Sequence, residues 1–293
     1  MIFRLVITCY ILWFSLPLCA ANNYPVLWDS KDPELQRSLE SMVNKIGLMS
    51  HIKSKRLSLV LVDITDIHNP RVAELGGDKM IYAASLPKIA ILLGAFVQVE
   101  QKQLILDDAL SKDMTKMIRN SDNAAATRVL ERVGREELLG IIQSLRYRLY
   151  DPERGGGLWV GKDYAKKGAY HRDPIKKLSH GATAMQVARF YYLLETNRLV
   201  GPELTLEMKN ILSKPGISHK FVKGLKSVPE ARIYRKSGSW REYHADSALV
   251  ESGDSKFIIV GLAKHPDGGK WLSSLAKPLH GLIVNSPVAG TKK

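Results

Sequence analysis

Apolar side chains recur at Leu35, Leu39, Met42, Val43 and Ile46, the three-and-four spacing of a helix with one buried face. Asp32, Pro33 and Glu34 stand just ahead of them: a capping carboxylate, a proline suited to a first turn, and an acid at the positive end of the helix dipole. The pattern then changes. Residues 57–62, LSLVLV, read as a buried strand, and 71–75 as its hairpin partner. Helical spacing returns at 85–99, 124–133, 136–145, 183–194 and 202–212. Strands reappear at 232–236, 245–250 and 256–262, and a last amphipathic helix begins near Lys270. No repeat or linker interrupts the chain. The order predicts an α/β fold in which an antiparallel sheet, flanked by terminal helices, packs against an all-α lobe. The sheet lobe takes residues about 30–80 and 218–293, and the helical lobe about 81–217.

Two segments break the regular alternation. Residues 147–181 form a long stretch rich in Gly, Lys and Asp, and a loop of that length in a compact domain is usually functional or mobile. At the N-terminus, Arg4 precedes an apolar run from Leu5 to Phe14, followed by Ser15, Pro17 and the small residues Cys19, Ala20 and Ala21. That is the layout of a secretory signal over residues 1–20, cleaved near Ala20 and Ala21, and its apolar run is short of the about 20 residues that span a bilayer. The expected product is a periplasmic or secreted domain over 21–293. Cys9 and Cys19 both lie in the signal, so the mature chain is expected to carry no thiol chemistry.

With 293 residues, 45% apolar and 25% charged, the chain is long enough for one large domain with its own core. The net charge of +14 would suggest nucleic acid inside a cell. For an exported protein two readings stand instead: electrostatic contact with acidic envelope polymers and anionic small molecules, or a basic solvated surface and nothing more; no nucleic acid is expected, and a monomer is.

The helix over 85–99 is apolar nearly all round, yet Ser85 and Lys88 share one face at its start. Burial and the helix dipole push such a lysine towards neutrality, and a neutral amine beside a hydroxyl can serve as its base. The bland alternative is a lysine reaching out to solvent. Ser-x-x-Lys also occurs at Ser50–Lys53 and Ser274–Lys277, in polar surroundings that read as coincidence. A second signal is NSDNAAA, with Ser121, Asp122 and Asn123 opening a helix. A third is YRKSGSW, with Lys236, Ser237 and Gly238 at a strand end. Ser, Asp and Asn are ordinary helix caps, and any one of these motifs alone is weak. Their joint occurrence, in this order and on these element types, is specific.

On those three motifs the chain resembles the class A β-lactamase group of penicillin-recognising serine hydrolases, over nearly all of the mature sequence. The resemblance implies an active site between the two lobes and an acyl-enzyme on Ser85 that opens β-lactam rings. Lys88 would help to take the Ser85 proton, and Ser121 would relay it to the leaving nitrogen. Lys236 and Ser237 would hold the substrate carboxylate, with Gly238 in the same strand, and Asn123 would bind the side-chain amide. The backbone N–H groups of Ser85 and Ser239 would form the oxyanion hole. The substrate would be a β-lactam or a peptidoglycan-like acyl compound, with no cofactor. Two other functions stay open: a penicillin-binding D,D-peptidase or esterase that β-lactams inhibit, and a non-catalytic module that holds cell-wall peptide.

The long loop departs from the family. Class A enzymes place there a glutamate, four residues before an asparagine, to activate the deacylating water. Here the only glutamate is Glu153, and Gly157 stands four residues on. Two readings follow: Glu153 is the catalytic base for deacylation, or it pairs with an arginine on the surface. Competing chemistries lack support. No Gly-x-Ser-x-Gly elbow is present, the eight histidines show no metal-binding spacing, and His171, His180 and His244 read as structural.

Overall fold

The computed structural model describes residues 24–165 and 168–285, so the expected signal segment lies outside the described residues. Helix α1 (Pro33–Lys45) begins where its signals predict, with an Asp32 side-chain oxygen accepting the Leu35 N–H at 2.7 Å. A short α2 (Met49–Lys53) leads into β1 (Leu57–Asp63), which pairs antiparallel with β2 (Arg71–Leu75). Every residue of β1 is buried because the sheet is covered on both faces. Leu57, Leu59 and Leu61 pack with Leu35, Leu39 and Val43 of α1, while Val60 and Val62 join the larger core that includes the helical middle.

After β3 (Ile81–Tyr82) the chain runs through α3 (Lys88–Glu100), α4 (Asp108–Arg119), α5 (Asn123–Val133) and α6 (Arg135–Gln143). The pattern reading misses α4, although Leu110, Met114, Met117 and Ile118 give it a buried helical stripe. Its solvent face carries Lys112, Asp113 and Lys116, which dilute the signal. The stretch over 147–181 is not structureless. It holds β4 (Tyr150–Asp151), β5 (Gly156–Gly157), β6 (Trp159–Val160) and β7 (His180–Ala182). Trp159 is buried against the Tyr150 ring. Asp173, fully buried, ties the return by accepting the backbone N–H groups of Ile175, Lys176 and Leu178.

Helix α7 (Ala184–Glu195) packs on the sheet, and α8 (Pro202–Leu212) and the short α9 (Phe221–Gly224) follow. Strands β8 (Arg232–Trp240), β9 (Tyr243–Ser252) and β10 (Ser255–Lys264) complete a five-stranded antiparallel sheet in the order β2-β1-β10-β9-β8. Closing helix α10 (Gly268–Val284) lies with α1 on one face. The fold is the expected α/β arrangement. No described helix is long and apolar enough to cross a membrane.

The geometry that matters for the site is the position of β8. It is an edge strand, and it runs on through Lys236, Ser237 and Gly238 instead of ending at Lys236 as the sequence suggests. Ladder pairing with β9, down to Trp240 opposite Tyr243, holds the motif straight.

Candidate active site

Ser85 stands one turn earlier than a helical reading places it. Helix α3 proper starts at Lys88, preceded by a tight turn in which Leu86 N–H donates to Ala83 O at 3.0 Å and Lys88 N–H to Ser85 O at 3.3 Å. Pro87 supplies no N–H, and Ala84 is held at φ 49°, the left-handed region that costs a non-glycine residue energy. The Tyr164 hydroxyl donates to Ala84 O at 3.1 Å and clamps that turn.

Lys88 is fully buried. Its Nζ donates to Ser121 O at 2.7 Å, Asn123 Oδ1 at 2.8 Å and Asp122 O at 3.3 Å, and lies 4.5 Å from the centre of the Tyr164 ring. Burial lowers its pKa to about 7, with the Asp122 carboxylate opposing part of that effect. Three acceptors match the three N–H bonds of an ammonium. A neutral amine has two, which frees a lone pair to take a proton.

Ser121 also sits in the left-handed region, at φ 59°. That turn presents its carbonyl to Lys88 and its hydroxyl to Lys236, whose Nζ donates to Ser121 Oγ at 2.9 Å and to Ser237 O at 2.7 Å. Lys236 is buried as deeply as Lys88, and burial, aided by the Lys88 charge, holds its pKa well below the ordinary range. Asp122 caps α5 by accepting the Ala125 N–H at 2.6 Å, so the middle residue of the motif is structural while its neighbours face the lysines.

Gly238 fits a gap that admits no side chain. A Cβ there would lie 2.1 Å from Ala83 O and 2.8 Å from the backbone nitrogens of both Ser85 and Leu86. The missing Cβ lets the edge strand rest directly on the turn that carries Ser85. Below, a buried ion pair fixes the strand: Arg235 Nε meets Asp246 Oδ1 at 2.7 Å and Nη2 meets Oδ2 at 2.9 Å.

A third buried lysine went unseen in the sequence. Lys220 Nζ donates to Gly238 O, to Ser239 Oγ at 2.9 Å and to Ala245 O at 2.9 Å, and burial lowers its pKa to about 8. No spacing in HKFVKG announces this role, which depends on the residue before α9 meeting β8 and β9. Tyr164 was likewise unmarked and His180 read as structural, and both line the cleft with Ser85, Asn123 and Ser239. The cleft encloses about 460 Å³. A larger depression, about 790 Å³ between α8 and β8, holds none of the motif residues.

Glu153 is placed elsewhere. It lies in a 3₁₀ turn at Pro152–Arg154 with its side chain 86% exposed, and its carboxylate is 3.7 Å from Arg148, so of the two readings the geometry matches the surface pair. It is not among the residues lining the cleft. The physical reason is the backbone. Gly155 turns in the left-handed region, and β4 and β5 fold back on each other around that turn, which leaves Glu153 at its outer tip. The carboxylate that does line the cleft is Asp163, held by Arg135 in a two-pronged pair at 2.8 and 2.6 Å.

A sequence model of the beta-lactamase enzyme family matches residues 109–280. The chain belongs to that family. The match runs from α4 through the second and third motifs to the closing helix, so the family's helical and sheet segments are both represented. No curated protein sequence is detectably similar. Among solved structures, the β-lactamase of Sphaerobacter thermophilus superposes with a TM-score of 0.65 at 16% identity, over 81% of this chain and 95% of its own. PBP-A gives 0.62 at 16% identity, over 85% and 97%. A PBP-A variant has been captured as an acyl-enzyme complex with penicillin G, and superposes at 0.64 with 16% identity over 85% and 96%. At such identities these likenesses establish the fold shared within the family.

Proposed function

We propose that this member of the beta-lactamase enzyme family is an exported serine hydrolase that opens β-lactam rings through an acyl-enzyme on Ser85. The observation that carries the reading is the buried chain Lys88–Ser121–Lys236, in which two amines are pushed towards neutrality on either side of one serine, next to the nucleophile turn. Neutral Lys88 takes the proton of Ser85 Oγ as the oxygen attacks the lactam carbonyl. The backbone N–H groups of Ser85 and Ser239 receive the developing oxyanion. As the C–N bond breaks, the Ser121 hydroxyl gives its proton to the departing nitrogen and regains one from the lysines beside it. Lys236 and Ser237 hold the substrate carboxylate, and Asn123 takes the side-chain amide.

Release of the acyl group is the slower half in this reading. It needs a base for the attacking water, and Glu153 is a surface charge while Asp163 is bound to Arg135. That feature favours a second reading within the same chemistry: a penicillin-binding D,D-peptidase or esterase on which β-lactams form a long-lived adduct. Export rests on the N-terminal segment, and N-terminal sequencing of the extracytoplasmic protein should begin near Ala21. Turnover of a chromogenic cephalosporin separates the two readings. A burst followed by a steady rate supports the hydrolase, a burst alone the inhibited peptidase, and absence of any burst contradicts both.

A further inference from the structure

The cleft that holds Ser85 is also lined by residues that none of the three motifs supplies, among them Lys162, Ser179, Tyr82 and His180. His180 is buried, and burial lowers its pKa to about 4, so the ring is neutral. Its Nε2 lies 3.0 Å from Lys162 O. A carbonyl can only accept, so the proton sits on Nε2 and donates to it, fixing the Lys162 backbone at the cleft wall. The other ring nitrogen, Nδ1, faces Ser179 Oγ at 3.5 Å. Tyr82 packs edge-on against both His180 and Tyr243, with ring centres 6.2 and 5.2 Å apart. Burial raises the Tyr82 pKa, which keeps the phenol protonated and able to donate.

The charge balance of the cleft lining is one-sided. Asp163 is the only carboxylate among the described residues lining the cleft, and Arg135 holds both of its oxygens. Lys162 forms no ion pair among the described residues, and Arg241 adds a further positive charge where it rests on Trp240 at the rim. The Lys162, Tyr82 and Ser179 side chains line the same cleft, and an ammonium, a phenol and a serine hydroxyl can each donate to a carboxylate. Asn123 and Ser239 line the same cleft, together with Ser85.

We propose that Lys162, Ser179 and Tyr82 form a second anion subsite, so that the preferred acyl donor carries a carboxylate on its acyl side chain as well as the one held at Lys236 and Ser237. The inference rests on the serine acyl-enzyme reading above and names its substrate class. Hydrogen bonds to a charged group in a partly buried site are worth enough to give about a tenfold preference.

Benzylpenicillin and carbenicillin differ by one side-chain carboxylate and serve as the probes. Acylation of the full mature protein by carbenicillin should be about tenfold more efficient. The ratio should fall to about one in Lys162→Met, drop below one in Lys162→Glu, and recover in Lys162→Arg. A parental ratio of one or less, or a ratio unmoved in Lys162→Met, overturns the proposal. Binding of phenylmalonate and phenylacetate to Ser85→Ala, measured by calorimetry, reads the subsite without any covalent step. Tighter phenylmalonate binding that Lys162→Met removes supports it even where neither penicillin acylates, and equal binding refutes it. Failure of both penicillins to acylate tells only against the acyl-enzyme reading.

Discussion

Gly238→Ala tests how closely the edge strand must lie against the nucleophile. The added Cβ would sit 2.1 Å from Ala83 O and 2.8 Å from the nitrogens of Ser85 and Leu86. All three are main-chain atoms of a tight turn, so no side chain can rotate away. Restoring ordinary contact needs a separation of about 1 Å between β8 and the turn. A displacement of that size misaligns the oxyanion donors, for which a loss of about 10²-fold in acylation rate is expected. That corresponds to about 2.7 kcal/mol of transition-state stabilisation. Overpacking should also lower folding stability by about 1–3 kcal/mol. Acylation by benzylpenicillin, followed by quenched-flow mass spectrometry, reads the first effect, and calorimetric melting reads the second and checks the fold. A folded Gly238→Ala protein that acylates as fast as the parent would refute the claim that strand and nucleophile form one constrained unit.

The acylation rate should rise with pH through about 7, where Lys88 loses its proton, and level off above; Lys88→Met should remove the inflection and most of the rate. Because the Lys88 pKa is depressed on folding from 10.5 to about 7, the unfolded chain binds more protons between those values, so this residue makes stability increase with pH across that window. Tyr164→Ala hydrates the amine that its ring covers and should move the kinetic inflection upwards, and an unmoved inflection would show that the ring does not control Lys88. Glu153→Gln should leave both burst and steady phases unchanged, since the carboxylate is exposed and outside the cleft; loss of the steady phase would reinstate it as the base. Arg235→Met strands the buried Asp246 carboxylate with only the N–H groups of Phe221 and Ser247, and should cost about 3–5 kcal/mol in denaturant unfolding. A loss under about 1 kcal/mol would mean that Asp246 takes up a proton or a new partner instead.

The parts of this molecule that were legible in its sequence are those whose signal is local. Asp32-Pro33-Glu34 starts α1 by capping physics that acts within one turn, and the run at 57–62 is buried because both its faces are apolar. Ser85, Lys88, Ser121 and Lys236 could be singled out as candidates because each motif is short and its order along the chain is informative, and the fold brings Lys88, Ser121 and Lys236 together. What could not be read depends on contacts between distant segments. Lys220 touches Gly238 and Ser239 only because the fold brings the start of α9 against the β8–β9 pair, and Tyr164 covers Lys88 from across 76 positions of chain. Glu153 shows where sequence left two readings open. It occupies a plausible stretch of sequence, but the left-handed turn at Gly155 and the pairing of β4 with β5 leave it at the surface. The extension of β8 through Lys236 to Trp240 was hidden too, since glycine and serine argue against a strand until the β9 ladder and the close approach at Gly238 are seen.

The central claim is that Ser85, activated within the Lys88–Ser121–Lys236 chain, becomes covalently acylated. Peptide mapping of the mature protein after brief exposure to benzylpenicillin tests it most directly. The account predicts one added drug mass on the peptide that contains Ser85, absent in Ser85→Ala and formed about 10²–10⁴-fold more slowly in Lys88→Ala. An adduct on Ser50 or Ser274, or undiminished labelling of Ser85→Ala, would contradict it.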